Sequence, residues 1–567
     1  MKNRFKVLLG SILSLALVSC GGGNQEQSQA GKSEVVSKDT QESQEASVTN
    51  SEESSQEIDE FLGLEFRLED DDTYTLIRAA RSGTFNVPNL FNAKRVTGID
   101  QGAISASVTK LSLDDNITRI APGAFKNTYG LTEIEFDGND VYELKNGCIV
   151  EKASNTVIAG FSFSTIPSDV AVIGNQAFAG QKRLAGELNI PESVTRIESE
   201  AFSGCEGLTS VNVPNTVTSI GQNAFAGCSN LEELHVPFFG DGTATNSATG
   251  YVFNYQIPTS LEKLYVSGTN GTLYTNSVPS DFRNMELHLG NQFTKFEKNA
   301  FYVGSGIMAT RAKYNNVYFE GTVSEWSQID FAEYNSCPNT TDSENCVMFK
   351  QDDGSYAPLD EEFVAPQGIE TIKKYAFYGF AFSSITIGGH IKSIGDSAFA
   401  YAIPDFADIV IEQGVQSIGT QAFINHNGID VSLPASMESI GGQAFNGANS
   451  ARDVTYAMVR GTIDVTTSGY GAGSLKILIV PDGITTINPY TFGFVKGYIW
   501  IPKSVTKIEY GNCCFDMKAT VLYEGTRDEY SNITITTTKI EDNNFIPEAV
   551  YVNQSYENVI QGKIILD

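Results

Sequence analysis

A tandem repeat constrains this chain more than any other feature of its sequence. The segment SVTRIESEAFSGCEGLTSVNVP begins at Ser193, and NTVTSIGQNAFAGCSNLEELHVP follows it directly and ends at Pro237. Equivalent residues of the two copies, such as Phe202 and Phe225, are 23 residues apart. A period in the twenties indicates a solenoid, because so short a unit buries its apolar face only by stacking on its neighbours.

Each repeat unit has two halves with different patterns. In LTSVNVP, Val211 and Val213 alternate with polar residues, which predicts a strand with one buried side. The other half predicts a short extended segment that runs into a turn at Ala201 and Phe202. We interpret this Ala-Phe pair as a wedge between coils, whose truncation to Ala should cost about 3–5 kcal/mol. The wedge recurs at Phe125, Phe178, Phe301, Phe377, Phe399, Phe423, Phe445 and Phe492, with Cys514-Phe515 in the last clear copy.

Length and charge narrow the class of protein. A chain of 567 residues would suggest several globular domains, but a repeat array forms a single long body. Asp and Glu number 68 against 38 Lys and Arg, so the phosphate backbone of a nucleic acid would be repelled. We therefore exclude nucleic acid as a partner.

The first twenty residues are typical of an export signal. Lys2, Arg4 and Lys6 precede an apolar run that is too short to span a bilayer. The run ends in Leu-Val-Ser-Cys20, which resembles the lipobox of bacterial lipoproteins, whose Cys is acylated and becomes the mature N-terminus. Several acyl chains would provide stable membrane attachment. The alternative is that Cys20 ends an ordinary signal peptide.

The rest of the chain divides into a linker and the repeat array. Residues 21–60 are acidic, rich in Ser, Gln and Glu, and without aromatic residues, which predicts a disordered linker. We assign 61–567 to the solenoid, with an N-terminal cap over about 61–100 and a C-terminal cap over about 534–567. In the first cap, Asp70, Asp71 and Asp72 predict a hairpin loop, since the Gly and Glu of a Ca²⁺ loop are missing.

Insertions interrupt the repeats at several places. Turns at Asn146-Gly147 and Asp353-Gly354 predict two hairpins. The related segments VYFEGTVSEWSQI and VLYEGTRDEYSNI predict a strand, a turn and one helical turn, in which Trp326 or Tyr530 packs back on the sheet. The functional alternative for Trp326 is a carbohydrate-stacking residue.

The repeat SxTxIxxxAFxxCxxLxxVxVP, together with the EGTxxEW/Y variant, closely resembles the BspA-like leucine-rich-repeat proteins of bacterial surfaces. The resemblance extends from about residue 75 to 535. It implies a leucine-rich-repeat solenoid of β-rich α/β repeats, with a parallel sheet on its concave side and short strands or helical turns on its convex side. It also implies adhesion or protein binding, without family-wide catalytic residues. The chain departs from the fullest members in having no evident extra C-terminal domain.

The sequence shows no catalytic or cofactor motif. The four histidines are His235, His288, His390 and His426, and they have no paired metal spacing. His235 and His288 both occupy an outward strand position, so a ligand pair is conceivable, but we interpret both as solvated polar residues. We predict no metal, no cofactor and no catalytic residue.

Eight cysteines in an exported chain raise the question of disulfides. Cys337 and Cys346 flank one loop and form the best candidate pair. Cys205 and Cys228 occupy the same place in adjacent coils, where either a bridge or a reduced, buried ladder is possible. We interpret Cys513-Cys514 as core residues, and Cys148 has no obvious partner.

The strand register predicts which side chains point outward. Counted back from the terminal Pro of each unit, positions −1 and −3 are apolar throughout and should face the core, so positions −2 and −4 should line the open face of the sheet. That face runs from acidic residues at its N-terminal end, through Tyr265, His288 and Tyr318, to an apolar end. The apolar end comprises Ile477, Ile479, Tyr498, Trp500 and Leu522.

Contiguous exposed apolar patches usually mark interaction sites. We therefore predict that Trp500 and Tyr498 anchor a partner at the C-terminal end, worth about 2–4 kcal/mol each. The alternative is that an insertion or the C-terminal segment folds over this patch.

Two functions remain open. The first is a lipid-anchored adhesin or receptor that binds a host or bacterial surface protein, or a glycan, through the concave sheet. The second is an exported enzyme or glycan-binding accessory protein acting on polysaccharide, with Glu133 and Glu135, or Glu233 and Glu286, as an acid/base pair. No aromatic subsite pattern surrounds these carboxylates, and we favour the binding module.

Overall fold

The structure is a computed structural model, and it describes the chain from residue 56 onward with internal gaps. The described residues are 56–59, 63–241, 248–275, 277–278, 281–303, 310–311, 313–338, 347–402, 408–424, 431–432, 434, 436–437, 439–441, 444, 457–458, 475–479, 485–487, 495–510, 520–537 and 549–555. Every element given below lies in the compact unit Ser54–Asp567.

The N-terminal cap is an antiparallel hairpin joined to the first coil. Its strands are β1 (Gln56–Asp59), β2 (Leu64–Leu68), β3 (Tyr74–Ala79), β4 (Gly83–Asn86), β5 (Leu90–Phe91) and β6 (Lys94–Ile99). Strand β1 pairs with β2, so regular structure begins before residue 61, inside the predicted linker. The predicted acidic turn is confirmed, and its Asp71 carboxylate accepts a hydrogen bond from Arg119 at 2.7 Å.

The first coils are followed by an inserted hairpin. The strands are β7 (Val108–Ser112), β8 (Arg119–Ile120), β9 (Glu133–Glu135), β10 (Tyr142–Lys145), β11 (Cys148–Glu151), β12 (Thr156–Ala159) and β13 (Val172–Ile173). Strands β10 and β11 are antiparallel, as the sequence predicts. Asn146 and Gly147 both adopt positive φ, 50° and 77°, which is the conformation that such a tight turn requires.

The central coils form the longest sheet. The elements are β14 (Gly186–Asn189), β15 (Arg196–Ile197), β16 (Leu208–Asn212), β17 (Ser219–Ile220), β18 (Glu233–Val236), α1 (Thr249–Val252), β19 (Lys263–Val266), β20 (Thr272–Leu273), β21 (Asp281–Leu289), β22 (Lys295–Phe296), β23 (Tyr302–Val303), β24 (Thr310–Arg311), β25 (Lys313–Phe319), α2 (Val323–Ser327), β26 (Asp330–Phe331), a 3-10 helix (Tyr334–Ser336), β27 (Val347–Lys350) and β28 (Tyr356–Pro358). The order of the long sheet is β14-β16-β18-β19-β21-β25-β27-β28. Its strands are parallel except for the final β27–β28 hairpin, which confirms the second predicted insertion.

In most of the remaining coils, successive strands again belong alternately to two different sheets. The elements are β29 (Glu362–Val364), β30 (Thr371–Ile372), β31 (Ser384–Ile387), β32 (Ser393–Ile394), β33 (Asp408–Ile411), β34 (Ser417–Ile418), β35 (Val431–Ser432), β36 (Ser439–Ile440), β37 (Ala457–Met458), β38 (Leu475–Ile479), β39 (Thr486–Ile487), β40 (Val495–Ile501), β41 (Lys507–Tyr510), β42 (Thr520–Tyr523), α3 (Arg527–Ser531), β43 (Thr534–Thr537) and β44 (Val550–Tyr551). The last long-strand sheet has the order β37-β38-β40-β42-β44.

The Ala-Phe wedge packs between coils as the sequence predicts. Phe178, Phe202 and Phe225 are fully buried, and their rings stack with centroids 5.1 and 5.8 Å apart. Phe399 and Phe423 repeat this contact at 5.2 Å farther along the chain. Within each of these two runs, the wedge ring of one coil therefore stacks on the wedge ring of the coil before it.

The long strands form mostly parallel sheets, as the sequence predicts, but not a single uninterrupted one. The long strands of the described residues fall into four sheets instead, which begin at β4, β14, β29 and β37. The break before β29 follows an insertion, because the antiparallel strand β28 occupies the edge on which the next parallel strand would pair. Helix α2 bridges this break: Trp326 is fully buried, and its Nε1 donates to Ala376 O at 2.7 Å. Its predicted packing role is thereby confirmed.

Candidate functional site

Alternate residues of the long strands face opposite sides of the sheet, as the register predicts. Every described side chain of the two inward rows is buried. These are Ile134, Phe136, Leu188, Ile190, Val211, Val213, Leu234, Val236, Leu264, Val266, Leu287, Leu289, Val317, Phe319, Ile385, Ile387, Ile409, Ile411, Ile499, Ile501, Val521 and Tyr523. The register is confirmed, and it identifies the residues of the opposite side, which we call the open face.

Four aromatic side chains stack on one another across the middle of the open face. The backbone register pairs His235 with Tyr265, Tyr265 with His288, and His288 with Tyr318 on strands β18, β19, β21 and β25. Successive ring centroids are 4.0, 4.1 and 4.4 Å apart, at interplanar angles of 7°, 27° and 9°. We call these four residues the ladder. It arises because neighbouring parallel strands bring equivalent positions to nearly the spacing of stacked rings.

A fifth aromatic residue closes the ladder from the side. Tyr356, on the inserted strand β28, meets His288 edge-on at 5.6 Å and Tyr318 edge-on at 5.1 Å. Its hydroxyl also donates a hydrogen bond to the carboxylate of Glu320. Tyr356 could not be predicted from the repeat register, because it belongs to an insertion and has no position in that register.

His288 is buried within this stack, although the sequence predicted a solvated residue. It is 5% exposed, and its Nδ1 lies 3.2 Å from Glu320 Oε1. Its Nε2 lies 3.5 Å from Glu286 Oε2, which is too long for a good hydrogen bond, and has no hydrogen-bond partner. Burial lowers the pKa of His288, and the opposing effect of Glu320 and Glu286 only partly offsets it. The neutral imidazole is therefore favoured, with Nδ1 donating to Glu320.

Glu320 collects the polar contacts around the ladder. Lys350 donates to its Oε2 at 2.9 Å, and the Tyr356 hydroxyl donates to its Oε1. Burial raises the pKa of the Glu320 carboxyl, but hydrogen bonds from Tyr356, Lys350 and His288 together outweigh burial and hold the pKa below its usual value. The pKa of Tyr356 is raised by burial and by the nearby Glu320. The carboxylate is therefore charged and fixed at neutral pH.

A groove of about 640 Å³ runs along the ladder. Asn189, Asn212, His235, Tyr265 and His288 lie along it in strand order, from β14 to β21. Other lining residues, at or just beyond the ends of these strands, are Pro191, Glu192, Pro214, Asn215, Ser267, Gly290 and Glu320. Two of the three predicted central contacts, Tyr265 and His288, thus line a groove, and Tyr318 stacks beside them.

The structure does not bring His235 and His288 together as a metal site, and it does not place Glu233 next to Glu286. Tyr265 lies between His235 and His288, so the two imidazoles cannot share one ion. Among the described residues no group of His, Cys, Asp and Glu is arranged to hold a metal ion. Glu233 and Glu286 lie on opposite sides of Lys263 in the register. Glu233 and Glu286 are therefore separated by the strand that carries Lys263, whereas Glu133 and Glu135 occupy neighbouring outward positions on β9.

The sequence predicts an exposed apolar patch at the C-terminal end of the open face. This prediction is wrong for Trp500 and Leu522. Trp500 is 3% exposed and Leu522 is fully buried, although both hold the outward position in the register. The C-terminal segment covers them: β44 pairs with β42, and Trp500 Nε1 donates to Gln554 O at 2.8 Å. The alternative prediction, that the C-terminal segment folds over this patch, is therefore confirmed for these two residues.

The other members of the predicted patch are less completely described. Tyr498 is half-buried and is paired in register with Thr520. Strand β38 pairs Ile477 with Tyr498 and Ile479 with Trp500, as the register predicts, but the side chains of Ile477 and Ile479 lie outside the described residues. Partner binding at this end stays a prediction, but Trp500, one of its two predicted anchors, is buried.

The cysteine predictions separate into two groups. Cys205 and Cys228 are buried, reduced thiols that donate to the carbonyl oxygens of Phe178 at 3.1 Å and Phe202 at 3.3 Å. Both cysteines are free in the structure, as the reduced alternative predicts, and burial raises the pKa of the Cys228 thiol to about 12. Cys337 is buried with Sγ 3.5 Å from Tyr378 O, but Cys346, Cys513 and Cys514 lie outside the described residues. The Cys337–Cys346 disulfide stays a prediction.

The N-terminal predictions concern a part of the chain that the structure does not describe. Cys20 and the linker up to residue 55 lie outside the described residues, and the lipid attachment therefore stays a prediction. Within the described part of the chain, no helix has the length and apolar composition that crossing a bilayer requires.

The fold and the repeat define the class of this protein, which is a leucine-rich-repeat solenoid. The family described as "BspA type Leucine rich repeat region" matches in six copies, over residues 103–232, 158–278 and 359–464. The chain therefore belongs to the BspA-type leucine-rich-repeat family, as its repeat motif indicates. No curated protein matches the chain.

Solved bacterial structures are similar at low identity. A leucine-rich cell surface protein from Faecalibacterium prausnitzii A2-165 is 20% identical over 85% of this chain and 97% of its own, with a TM-score of 0.21. A leucine-rich-repeat protein from Bacteroides ovatus ATCC 8483 is 18% identical over 69% and 93%, with a TM-score of 0.33. The leucine-rich-repeat protein of T. pallidum is 22% identical over 38% and 88%, with a TM-score of 0.21.

Proposed function

We propose that this chain is a surface-anchored protein-binding module, an adhesin or receptor that contacts its partner through the open face of the central sheet. The observation that carries the proposal is the ladder with its groove. Tyr265 and Tyr318 are half-buried aromatic side chains held rigid by stacking, and residues of this kind are enriched at the centre of protein interfaces. The BspA-type family supports the same function, since its repeats build interaction surfaces.

The enzymatic alternative has less support in the arrangement of the carboxylates. His235 Nε2 lies 2.5 Å from Glu233 Oε1, and the Tyr318 hydroxyl donates to Glu286 Oε1 at 3.3 Å. Glu133 is paired with Lys110 at 2.5 Å. Glu133, Glu233 and Glu286 are therefore each engaged with a neighbour on the sheet surface, whereas glycoside hydrolysis requires two carboxyl groups that face one bond.

Membrane attachment through Cys20 is the second part of the proposal, because a binding module of this family acts outside the cell. Acylated Cys20 would place the solenoid on a bacterial membrane. Processing should be sensitive to globomycin, and Cys20→Ala should release the protein from the membrane fraction. Unchanged fractionation of this variant would refute the anchor and leave the binding function intact.

The binding function is tested by capture from host matrix proteins, bacterial surface extracts and glycan arrays. The full chain should retain a protein partner, and the double variant Tyr265→Ser with Tyr318→Ser should lose it. Val410→Ser is a matched control, because Val410 occupies the same outward row on β33 and is 48% exposed. Equal loss in the control, or retention of a glycan in place of a protein, would contradict the proposal.

A further inference from the structure

The groove beside the ladder runs between two outward rows of the central sheet. One wall is the row that contains the ladder, together with Asn189 and Asn212. The other wall is formed by the residues two positions farther along the chain, which are short or flat: Pro191, Pro214, Ser267 and Gly290. Residues two apart on a strand point to the same side of the sheet. The groove therefore crosses the strands and passes from one coil to the next.

The length of the groove suits a linear chain. Its lining residues follow the sheet from β14 through β16, β18 and β19 to β21. These five strands are separated by four intervals of about 4.8 Å, so the groove extends over about 19 Å. An extended polypeptide advances about 3.3 Å per residue, so about six residues fill this length.

Side-chain amides line the N-terminal end of the groove. Asn212 Nδ2 donates to Asn189 Oδ1 at 2.8 Å and to Glu187 Oε1 at 2.9 Å. Within the described part of the chain, Asn189 Nδ2 and Asn212 Oδ1 make no further hydrogen bond. Asn215, whose Oδ1 accepts from Ser267 Oγ at 2.7 Å, adds a third amide. This end of the groove therefore offers an amide donor and an amide acceptor on neighbouring strands.

A peptide backbone complements these two groups. Each peptide unit carries one N–H donor and one C=O acceptor, as a side-chain amide does. In an extended chain the N–H and the C=O of one residue point to the same side, which allows a residue to exchange two hydrogen bonds with its neighbour. One residue of a bound segment can thus donate to Asn212 Oδ1 and accept from Asn189 Nδ2. This pairing needs no charge on the ligand, and none of the described lining residues is Lys or Arg.

The ladder favours a peptide over an oligosaccharide in this groove. Tyr265 is stacked between His235 and His288, and His288 is stacked between Tyr265 and Tyr318. A sugar ring packs on the face of an aromatic side chain, and both faces of Tyr265 and of His288 are already covered. The groove meets the edges of these rings instead. The edge of an aromatic ring is electropositive, so it attracts oxygen atoms such as those of backbone carbonyl groups.

We infer that this groove binds an extended segment of the partner polypeptide through its backbone amide groups, with Asn189 and Asn212 pairing with one of its residues. The inference rests on the proposed function and adds to it the conformation and the chemistry of the bound segment. Recognition of the backbone tolerates many side chains, because every residue except proline carries the same N–H and C=O groups. The partner therefore contributes an extended segment of about six residues, without a fixed pattern of charge.

The test uses three capped hexathreonine peptides, since threonine favours the extended conformation. The first peptide is unmodified. The second is N-methylated at every other residue, which leaves the N–H groups of one edge intact, and the third is N-methylated throughout. Binding to the full chain is measured from the NMR signals of each peptide. The first two should have affinities within about threefold of each other, and the third should bind about tenfold more weakly because it has no backbone donor.

The double variant Asn189→Thr with Asn212→Thr removes both amides from the groove. It should weaken binding of the unmodified peptide about tenfold, as the loss of two neutral hydrogen bonds would. The matched control is Asn230→Thr, because Asn230 Nδ2 also donates to a neighbouring coil, at 2.8 Å from Glu206 O, but does not line the groove. The control should stay within about twofold of the wild type. Thermal unfolding followed by circular dichroism distinguishes a loss of folding from a loss of binding, and the N-methylated peptides test the inference on the unaltered protein.

Three results would overturn the inference. Equal affinity for the unmodified and the fully methylated peptide would show that the backbone donors are not recognised. Equal affinities of the Asn189→Thr with Asn212→Thr variant and of the Asn230→Thr control would show that the groove amides are not used. Tighter binding of cellohexaose than of hexathreonine, lost in the same double variant, would make the groove a glycan site.

The outcome for the groove is separate from the outcome for the proposed function. If no hexapeptide binds while Tyr265→Ser with Tyr318→Ser still abolishes partner capture, the proposed function stands and the backbone recognition falls. If hexathreonine binds and depends on Asn189 and Asn212 while no surface protein is captured, the peptide groove stands and the adhesin or receptor function falls.

Discussion

Two places on the open face carry aromatic residues in the same outward row, and they occupy opposite environments. In the centre, His235, Tyr265, His288 and Tyr318 stack side by side and line or border a groove. At the C-terminal end, Trp500 holds the equivalent position and is buried beneath the returning chain. Row position therefore fixes the direction of a side chain but not its exposure, which depends on what packs over the sheet.

The difference also separates two uses of an aromatic side chain. Trp500 contributes to the closure of the array, because its indole is desolvated and its only N–H is bonded to Gln554 O. The ladder residues contribute edges and hydroxyl groups to a polar groove. The predictions below test this contrast, in order of decreasing effect.

The largest effect should come from Trp500→Ala. Loss of a buried indole should lower the free energy of unfolding by about 3–5 kcal/mol, measured by chemical denaturation. The exposed Val410→Ala serves as the control and should change it by less than about 0.5 kcal/mol. A loss of less than about 1 kcal/mol for Trp500→Ala would mean that the C-terminal cover is not held in place by this side chain.

Tyr356→Phe should have an intermediate effect at the ladder. The change keeps both edge-on ring contacts and removes the hydrogen bond to the charged Glu320, which should lower the free energy of unfolding by about 1.5–3 kcal/mol at neutral pH. The same measurement on Tyr255→Phe gives the control, since Tyr255 is 72% exposed. Equal, negligible changes in the two variants would show that Glu320 does not depend on the hydroxyl.

Acid should weaken the ladder in two stages. The pKa of His288 is lowered in the folded protein from an ordinary value of 6.5, so the unfolded chain takes up a proton first and stability falls as the pH drops below about 6.5. The pKa of Glu320 is also lowered, from an ordinary 4.5, so its stabilising contribution is present above that value and is lost as the pH falls through its folded-state pKa.

Both stages have the same sign. His288→Phe should remove the upper stage and reduce the lower one, because His288 is one of three donors that hold the pKa of Glu320 down. Denaturation at a series of pH values measures this, and NMR titration of the four imidazoles gives the site-specific check. A folded-state pKa of His288 at or above 6.5 would contradict the assignment of a neutral, buried ring.

The smallest effect should be that of Trp500→Phe on partner capture. The substitution removes the hydrogen bond to Gln554 O but keeps an aromatic ring, so binding should match the wild type while the free energy of unfolding falls by about 1 kcal/mol. Loss of capture in this variant would restore the C-terminal end as a binding site. Comparison with the double variant Tyr265→Ser and Tyr318→Ser then shows whether the partner binds at the centre of the open face or at its C-terminal end.

The sequence predicts everything that repeats. The period, the Phe wedge and the two inward rows follow from local spacing, and Phe202, Val211 and Val213 lie where that spacing places them. The aromatic neighbours Tyr265 and Tyr318 could also be read from the register. Such features are predictable because each coil packs on its neighbour through equivalent positions.

Features without a period could not be read in the same way. Tyr356 reaches the ladder from an insertion, and Gln554 reaches Trp500 across 54 positions of sequence. The burial of His288 depends on Tyr356 and Glu320 as well as on its own row. These contacts join segments that are not related by the repeat spacing. The register alone therefore predicts that the side chains they cover are exposed to solvent.

Helix α2 affects how strongly neighbouring coils are coupled when the protein folds or is stretched. Coils of a solenoid contact only their neighbours, so folding spreads from coil to coil through nearest-neighbour coupling. At the edge made by β28 that coupling passes from the strands to α2, through the Trp326 indole on Ala376 O and the Lys373 amide on Ser327 O at 3.1 Å. Within the described residues, the array thus has a joint at which contacts of a helix replace the pairing of strands. When the protein is pulled from its ends, this joint is where the coils on either side should come apart as separate cooperative blocks.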